Sequence, residues 1–202
     1  MISLPSGLPP ELVPLSWLLG VWEGSGVIDY AVGDDSVQAE FGHRISFSYD
    51  GLPYLNYSSY TWLIEDGADE TPRPLVSEMG YWRLSRALTD ADAGPAMLPG
   101  RGAPAFPDAE SVETLRNAAG GFDIEVSLVH PDGVSELYLG QVKGPRIDLA
   151  TDAVMRTAAA KDYAAATRLY GLVYDHLLWA WDIAALGQGL RTHSSGRLAR
   201  VD

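Results

Sequence analysis

The sequence predicts an all-β chain closed into an antiparallel barrel, and three observations carry that prediction. From Trp22 onward, apolar and polar residues alternate with the period of two that half-buried strands require. Short turn signals such as DGLP (Asp50–Pro53) and HPDG (His130–Gly133) separate the alternating runs, so successive strands become neighbours. Large aromatics fall on both faces of a meander of eight to ten short strands, and closure removes the exposed edges such a meander would otherwise carry. A two-sheet sandwich is the alternative.

The elements follow in order. PELVPLSWLL (Pro10–Leu19) predicts a short helix ahead of the first strand. GVWEGSGVIDY (Gly20–Tyr30) opens the barrel: Gly20, Gly24 and Gly26 allow a sharp bend, or a close approach of another strand or a ligand to the backbone, while Trp22 supplies an apolar plug. In FGHRISFSYD, Ile45 and Phe47 alternate with polar neighbours, and Tyr54–Ile64 is an aromatic, β-branched strand. SEMGYWRLSRAL sets Tyr81, Arg83 and Ser85 against Trp82, Leu84 and Arg86. A Pro/Gly/Ala-rich acidic stretch, about residues 90–110, then leaves the scaffold as a surface insert without catalytic residues. GFDIEVSLVHPDG returns to strict alternation, with Phe122, Ile124, Val126 and Leu128 on one face. SELYLGQVKG, RIDLATDAVMRTA, YAAATRLYGLVYD, HLLWAWDIAALG and SSGRLARVD complete the series. AAAKDYAAA has helical propensity that strand pairing can override. The chain reads as one domain over residues 1–202, its barrel spanning about 18–202.

Composition narrows the function. Hydrophobic residues make up 47% and charged residues 20% of the 202, a globular balance. A net charge of −13 argues against a nucleic-acid backbone or an anionic membrane as the main partner. The chain has no cysteine, which excludes disulfides, thiolate catalysis and cysteine-held metal. The N-terminal MISLPSGLPPELVPLSWLLG lacks the basic region of a signal peptide, and no apolar run approaches a membrane span, so a cytoplasmic location is expected.

No P-loop, dinucleotide fingerprint, paired-histidine zinc motif or nucleophile elbow is present. The acidic turns GDDS and EDGADE lack calcium-loop spacing, and Asp29 and Glu40 are single carboxylates with no partner. Four histidines remain. His130, in a turn sequence, reads as exposed, and His43 and His176, which flank strands, read as surface or rim residues. His193 lies in RTHSSGR, among the small residues Thr192, Ser194, Ser195 and Gly196, which leave room for an imidazole to act as an axial iron ligand. Leu190 and Leu198 are out of phase with it, so a bulge is needed if all three are to point inward.

GVWEGSG fits a GxWxGxG pattern, and with FSYDGLPYLNYSSYTWLIE and RLYGLVYDHLLWAWDIAALGQGLRTHSSGRLARV the chain resembles the nitrobindin family from about Leu12 to Val201. The resemblance implies a closed antiparallel barrel of ten strands holding one haem b per subunit, with His193 as the iron ligand and hence the catalytic residue. It implies that Gly20, Trp22, Gly24 and Gly26 belong to the haem wall and that Lys161 lies near a propionate. It also implies conversion of peroxynitrite to nitrate at ferric haem and binding of nitric oxide. The partners expected are therefore haem and small reactive nitrogen species, with a homodimer left open. One departure stands out: where the family carries a haem-contacting threonine, this chain has Val32, which has no hydroxyl to donate. The competing reading is a binding module: a non-catalytic carrier of an apolar ligand such as a fatty acid, for whose headgroup Arg83, Arg168 and Tyr170 are candidates, or a haem protein that binds nitric oxide without turnover.

Overall fold

A computed structural model describes residues 7–32, 35–64, 72–185, 187 and 189–201. EDGADE and the first half of GDDS fall outside them, as does the Val32 side chain. Ten antiparallel strands close into a barrel in the order β1-β10-β9-β8-β7-β6-β5-β4-β3-β2. They are β1 (Gly20–Val32), β2 (Asp35–Ser48), β3 (Leu55–Leu63), β4 (Arg73–Leu84), β5 (Phe122–Val129), β6 (Val134–Lys143), β7 (Arg146–Arg156), β8 (Tyr163–Val173), β9 (His176–Ala185) and β10 (Arg191–Val201). Each strand pairs with its sequence neighbours, and β10 closes the ring on β1 with Gly24 opposite Leu198 and Gly26 opposite Gly196. The predicted two-sheet alternative is thereby excluded. AAAKDYAAA supplies the β7–β8 turn and the start of β8, its helical propensity overridden by pairing with β9.

The predicted helix forms as a 3₁₀ helix, Pro10–Leu18, because Pro14 within it cannot donate the hydrogen bond an α-helix needs. It plugs one end of the barrel. Leu12, Leu15 and Leu18 are fully buried, and Trp22, 1% exposed, donates its indole N–H to the Leu18 carbonyl at 2.7 Å. Above this plug Phe47, Tyr57, Trp82 and Tyr170 pack with ring centres 5.1–5.7 Å apart, filling that half of the interior. Phe122, Ile124, Val126 and Leu128 all face inward, as their alternation predicts.

Gly24 and Gly26 are close-approach positions. A Cβ on Gly24 would lie 2.3 Å from the Arg197 carbonyl oxygen and 3.0 Å from the Leu198 Cα. On Gly26 it would meet the Ser195 carbonyl oxygen at 2.4 Å and the Phe41 ring at 2.5 Å. The bare backbone therefore lets β1 and β10 close and gives inward-pointing Phe41 a flat wall to lie on. Because the obstacles at Gly24 are backbone atoms that cannot rotate away, Gly24→Ala is expected to destabilise the fold by ~1–3 kcal/mol, read as a lowered urea midpoint at unchanged slope.

The insert joins the end of β4 to the start of β5, at the plugged end. Arg86 anchors it, pairing with Asp92 at 2.6 Å and with Glu11 of the 3₁₀ helix at 3.1 Å. A four-residue α-helix, α1 (Ala109–Val112), is capped by Asp108 and buries Val112 beside the N-terminal helix.

Candidate functional site

The other half of the barrel holds a cavity of about 70 Å³ that opens to solvent on one side. Phe41, Tyr57, Trp179, Trp181, Ile28 and Tyr170 give it a mainly apolar wall. Leu75 and Val76, 42% and 40% exposed, also line it, so it reaches the surface beside β4.

His193 lines this cavity. The register of β10 against β9 shifts between Thr192 and Ser194, the bulge that the phase of the sequence requires. It brings the consecutive residues His193 and Ser194 both onto the cavity wall, while Leu190 stays 52% exposed outside. The His193 ring stands edge-on to Tyr30 at 4.7 Å and to Trp181 at 5.7 Å. Its Nδ1 is buried without a hydrogen-bond partner, and burial lowers its pKa, which favours a neutral imidazole whose one nitrogen lone pair is uncommitted to protein.

Two histidines read as surface residues are in fact interior. His43, 4% exposed, points inward in phase with Phe41, Ile45 and Phe47. Its Nε2 lies 2.7 Å from Ser59 Oγ and its Nδ1 is buried and unpaired. Burial pushes its pKa down to about 4 against the opposing pull of Glu78. His43 sits deeper than His193: it pairs with Gly24, whereas Ser194 pairs with Ile28, four residues further along β1, or ~13 Å at about 3.3 Å per residue. His130 has a side chain only 7% exposed, because it continues the inward phase of Phe122–Leu128 past the end of β5. His176 alone of these three lies at the rim, at the plugged end, with its Nδ1 facing the Tyr174 carbonyl at 2.7 Å.

Beside the cavity lies a buried ionic network of which only Arg168 and Tyr170 had been considered from the sequence. Arg168, 5% exposed, makes a bidentate pair with Glu78 at 2.6 and 2.8 Å and donates to the Tyr138 hydroxyl at 3.0 Å. Glu136, 3% exposed, accepts from Tyr138 and Tyr163 and lies 2.7 Å from His130 Nε2. Tyr57 donates to Glu78 at 2.6 Å. Burial alone would push the Glu78 carboxyl up, but the charge and hydrogen bonds of Arg168, with His130 and Tyr57, hold it at about 2. Strand parity carried the signal for the three charged residues. Glu78 is in phase with Trp82, Glu136 with Val134 and Tyr138, and Arg168 with Ala166 and Tyr170. A charge on the apolar face of an alternating strand is a buried charge, and it needs a partner.

The pH dependence follows with opposite signs. Stability from neutral His43 is complete above 6.5 and is lost as pH falls toward about 4; that from Glu78 is complete above 4.5 and is lost toward about 2. His130, whose pKa is raised, contributes below 6.5 and loses its contribution as pH climbs through the raised value. A plot of unfolding free energy against pH is therefore expected to fall on both sides of neutrality, more steeply on the acid side.

Gly20, Trp22, Gly24 and Gly26 occupy the plugged half and the adjoining wall. None lines the cavity directly, and Phe41, which does, covers Gly26. Lys161 is exposed in the β7–β8 turn at the cavity end, its carbonyl accepting from Arg156 at 3.0 Å, and is not part of the lining. Arg83 lies outside, paired with Glu125.

Among the described residues, no three His, Cys, Asp or Glu side chains are grouped to hold a metal ion. A metal here must bring most of its own ligands, as haem iron does. The unpaired neutral imidazole of His193 and the aromatic walls fit that group.

A closed β-barrel plugged at one end, with an aromatic cavity and an uncommitted histidine at the other, has the form of a small-ligand-binding barrel. Residues 11–200 match the family described as the THAP4-like, heme-binding beta-barrel domain. The chain belongs to this nitrobindin-like family. It is 70% identical, over the full length of both chains, to the peroxynitrite isomerase of Clavibacter michiganensis subsp. michiganensis. It is 67% identical, again over both full lengths, to the peroxynitrite isomerase of Leifsonia xyli subsp. xyli. The crystal structure of Rv2717c from M. tuberculosis superposes with a TM-score of 0.69 at 28% identity, covering 96% of this chain and 99% of that one.

Proposed function

We propose that the protein is a haem b-dependent peroxynitrite isomerase in which His193 would hold the haem iron. The observation that carries this is the neutral His193 imidazole, brought onto the cavity wall by a bulge and left without a hydrogen-bond partner at its buried nitrogen. The names of relatives 67–70% identical over the full length of both chains support the activity. Ferric haem bound there supplies the electrophilic metal that assists cleavage of the peroxynitrite O–O bond and can also bind nitric oxide.

The chain's own part is enclosure and orientation. Tyr30 and Trp181 fix the plane of the His193 ring from two sides. Phe41, Trp179 and Trp181 exclude water, so the fragments of the broken bond recombine instead of being hydrated. The reaction converts one anion into another by breaking O–O and forming N–O, with no net proton change, and it requires no general acid or base. Lys161, exposed in the turn at the cavity end, would be the residue to pair with a haem propionate.

A fatty-acid carrier fits less well. Such a carrier needs an interior cation free for the carboxylate, and Arg168 is already neutralised by Glu78 with Glu136 close by. The test is to titrate hemin into purified protein, follow the Soret band, and measure nitrate yield from peroxynitrite with and without haem. A stoichiometric Soret shift and a haem-dependent rise in nitrate are expected; failure to take up hemin would return the carrier to first place. Because the insert is anchored at the opposite end of the barrel, replacing residues 90–108 with a short Gly/Ser link is expected to leave the hemin titration unchanged. Loss of hemin uptake in that folded deletion would show that the insert supports the cavity.

A further inference from the structure

We propose that His130 is the anion-binding residue of this site, holding the substrate anion through its Nδ1–H from the wall opposite His193. The proposal rests on the haem-dependent reading above. Its first support is topological. In a ring of ten strands β5 lies five places from β10 in either direction, so the end of β5 faces the start of β10 across the barrel. His130 directly follows β5, His193 lies near the start of β10, and both line the one cavity. The Trp181 indole stands between them, nearly parallel to the His130 ring at 6.4 Å and edge-on to His193 at 5.7 Å.

The second support is the way His130 is held. Its Nε2 is committed to Glu136 Oε2 at 2.7 Å, with Glu78 Oε2 at 3.6 Å. Among the described residues Nδ1 has no hydrogen-bond partner, so it is the ring nitrogen left for a ligand. The charged groups around the imidazole come from three strands: Glu136 from β6, Glu78 from β4 and Arg168 from β8; Tyr138 and Tyr163 hydroxyls cap Glu136. Two carboxylates against one guanidinium leave a buried excess of negative charge, which a protonated His130 cancels. Burial pulls the His130 pKa down, but the Glu136 hydrogen bond and the charges of Glu78 and Glu136 outweigh it, and the net shift is upward. The fold therefore favours the imidazolium.

The third support is the overall charge. A protein of net charge −13 repels a small anion at long range, so capture of peroxynitrite needs a hydrogen-bond donor inside the cavity that no protein acceptor already occupies. Arg168 cannot serve, since its guanidinium is occupied by Glu78 and Tyr138. His130 can, because its Nε2 faces a carboxylate and its Nδ1 faces no protein acceptor. Since the isomerisation has no net proton change, His130 holds and orients the anion and transfers nothing.

The test uses the hemin-loaded full chain and two probes of the ferric site, azide as the anion and imidazole as a neutral ligand. Both are titrated by Soret absorption from pH 5.5 to 9 in wild type and His130→Gln, whose amide can still donate to Glu136 and preserve the fold. Near-ultraviolet circular dichroism serves as the control for folding. Azide affinity is expected to drop roughly tenfold in H130Q, the loss of one charge-assisted hydrogen bond, and its decline with rising pH to flatten, while imidazole affinity is unchanged. Equal azide affinity and an equal pH profile in both proteins would overturn the proposal. So would a parallel loss of imidazole affinity, which would mean that His130 only maintains the cavity. A second measurement needs no haem: nitrate is titrated into the apo-protein while the His130 Cε1–H resonance is followed. A saturable shift at His130, absent at His176, supports the anion site even if hemin uptake, and with it the isomerase reading, fails; no shift counts against it.

Discussion

Replacing His193 by Ala is expected to leave the barrel folded and to strip it of most of its haem chemistry. One half-buried imidazole with no hydrogen bond among the described residues contributes little to the fold, so the unfolding midpoint should move by less than ~1 kcal/mol. The same imidazole is the nitrogen proposed for iron. H193A is therefore expected to shift the ferric Soret and visible bands, to release hemin readily to an apo-globin acceptor, and to lose most of its nitrate formation. His176→Ala is the matched control, being a rim residue at the plugged end, and should change none of these. His43 and His130 are not neutral controls, because both line the cavity. A wild-type-like spectrum and rate in H193A would place the ligand elsewhere, and His43, with its own unpaired Nδ1, would be the first residue to examine.

Replacing Arg168 by Met is expected to have the largest effect on stability. The side chain is interior, and its removal leaves Glu78 and Glu136, 8% and 3% exposed, without their counter-charge. Breaking a buried pair from one side costs ~3–5 kcal/mol, because the remaining charge stays desolvated. Urea unfolding at pH 7 should show that loss. It should shrink as pH is lowered toward 5, because without Arg168 burial raises the Glu78 pKa and the carboxyl can take up a proton. The double variant Arg168→Met with Glu78→Leu should recover much of the difference, since both members of the pair are then apolar. A loss below ~1 kcal/mol in the single variant would mean that water reaches the carboxylates.

The comparison of strands with histidines shows where sequence reading held and where it stopped. Trp22, Trp82 and the Phe122–Leu128 face were legible because a strand's period of two is local and needs only its own residues to be read. Parity did not single out His193: the bulge puts it on the cavity wall although Leu198 is inward, and Leu190, expected inward only with a bulge, lies outside. His130 was misread because the HPDG turn chemistry suggested exposure, while its side chain keeps the inward phase of the strand before it. His43 was misread as a rim residue for want of the same parity test, which puts it in step with Phe41 and Ile45.

By itself the sequence determined the strand series and the short helix ahead of it, favoured closure over a two-sheet sandwich, and singled out one histidine near the C-terminus. These depend on alternation, turn chemistry and the family's motif spacing, all of which are written along the chain. The tertiary structure alone decided that Glu78, Glu136, Arg168 and His130, up to 90 residues apart in sequence, meet at one cavity wall. It also decided that Gly24 and Gly26 serve strand closure and the seating of Phe41 while the cavity itself lies further along. Parity says which side of a strand a residue faces. Which residues it meets there depends on register and shear around the whole ring, and no local stretch of sequence encodes those.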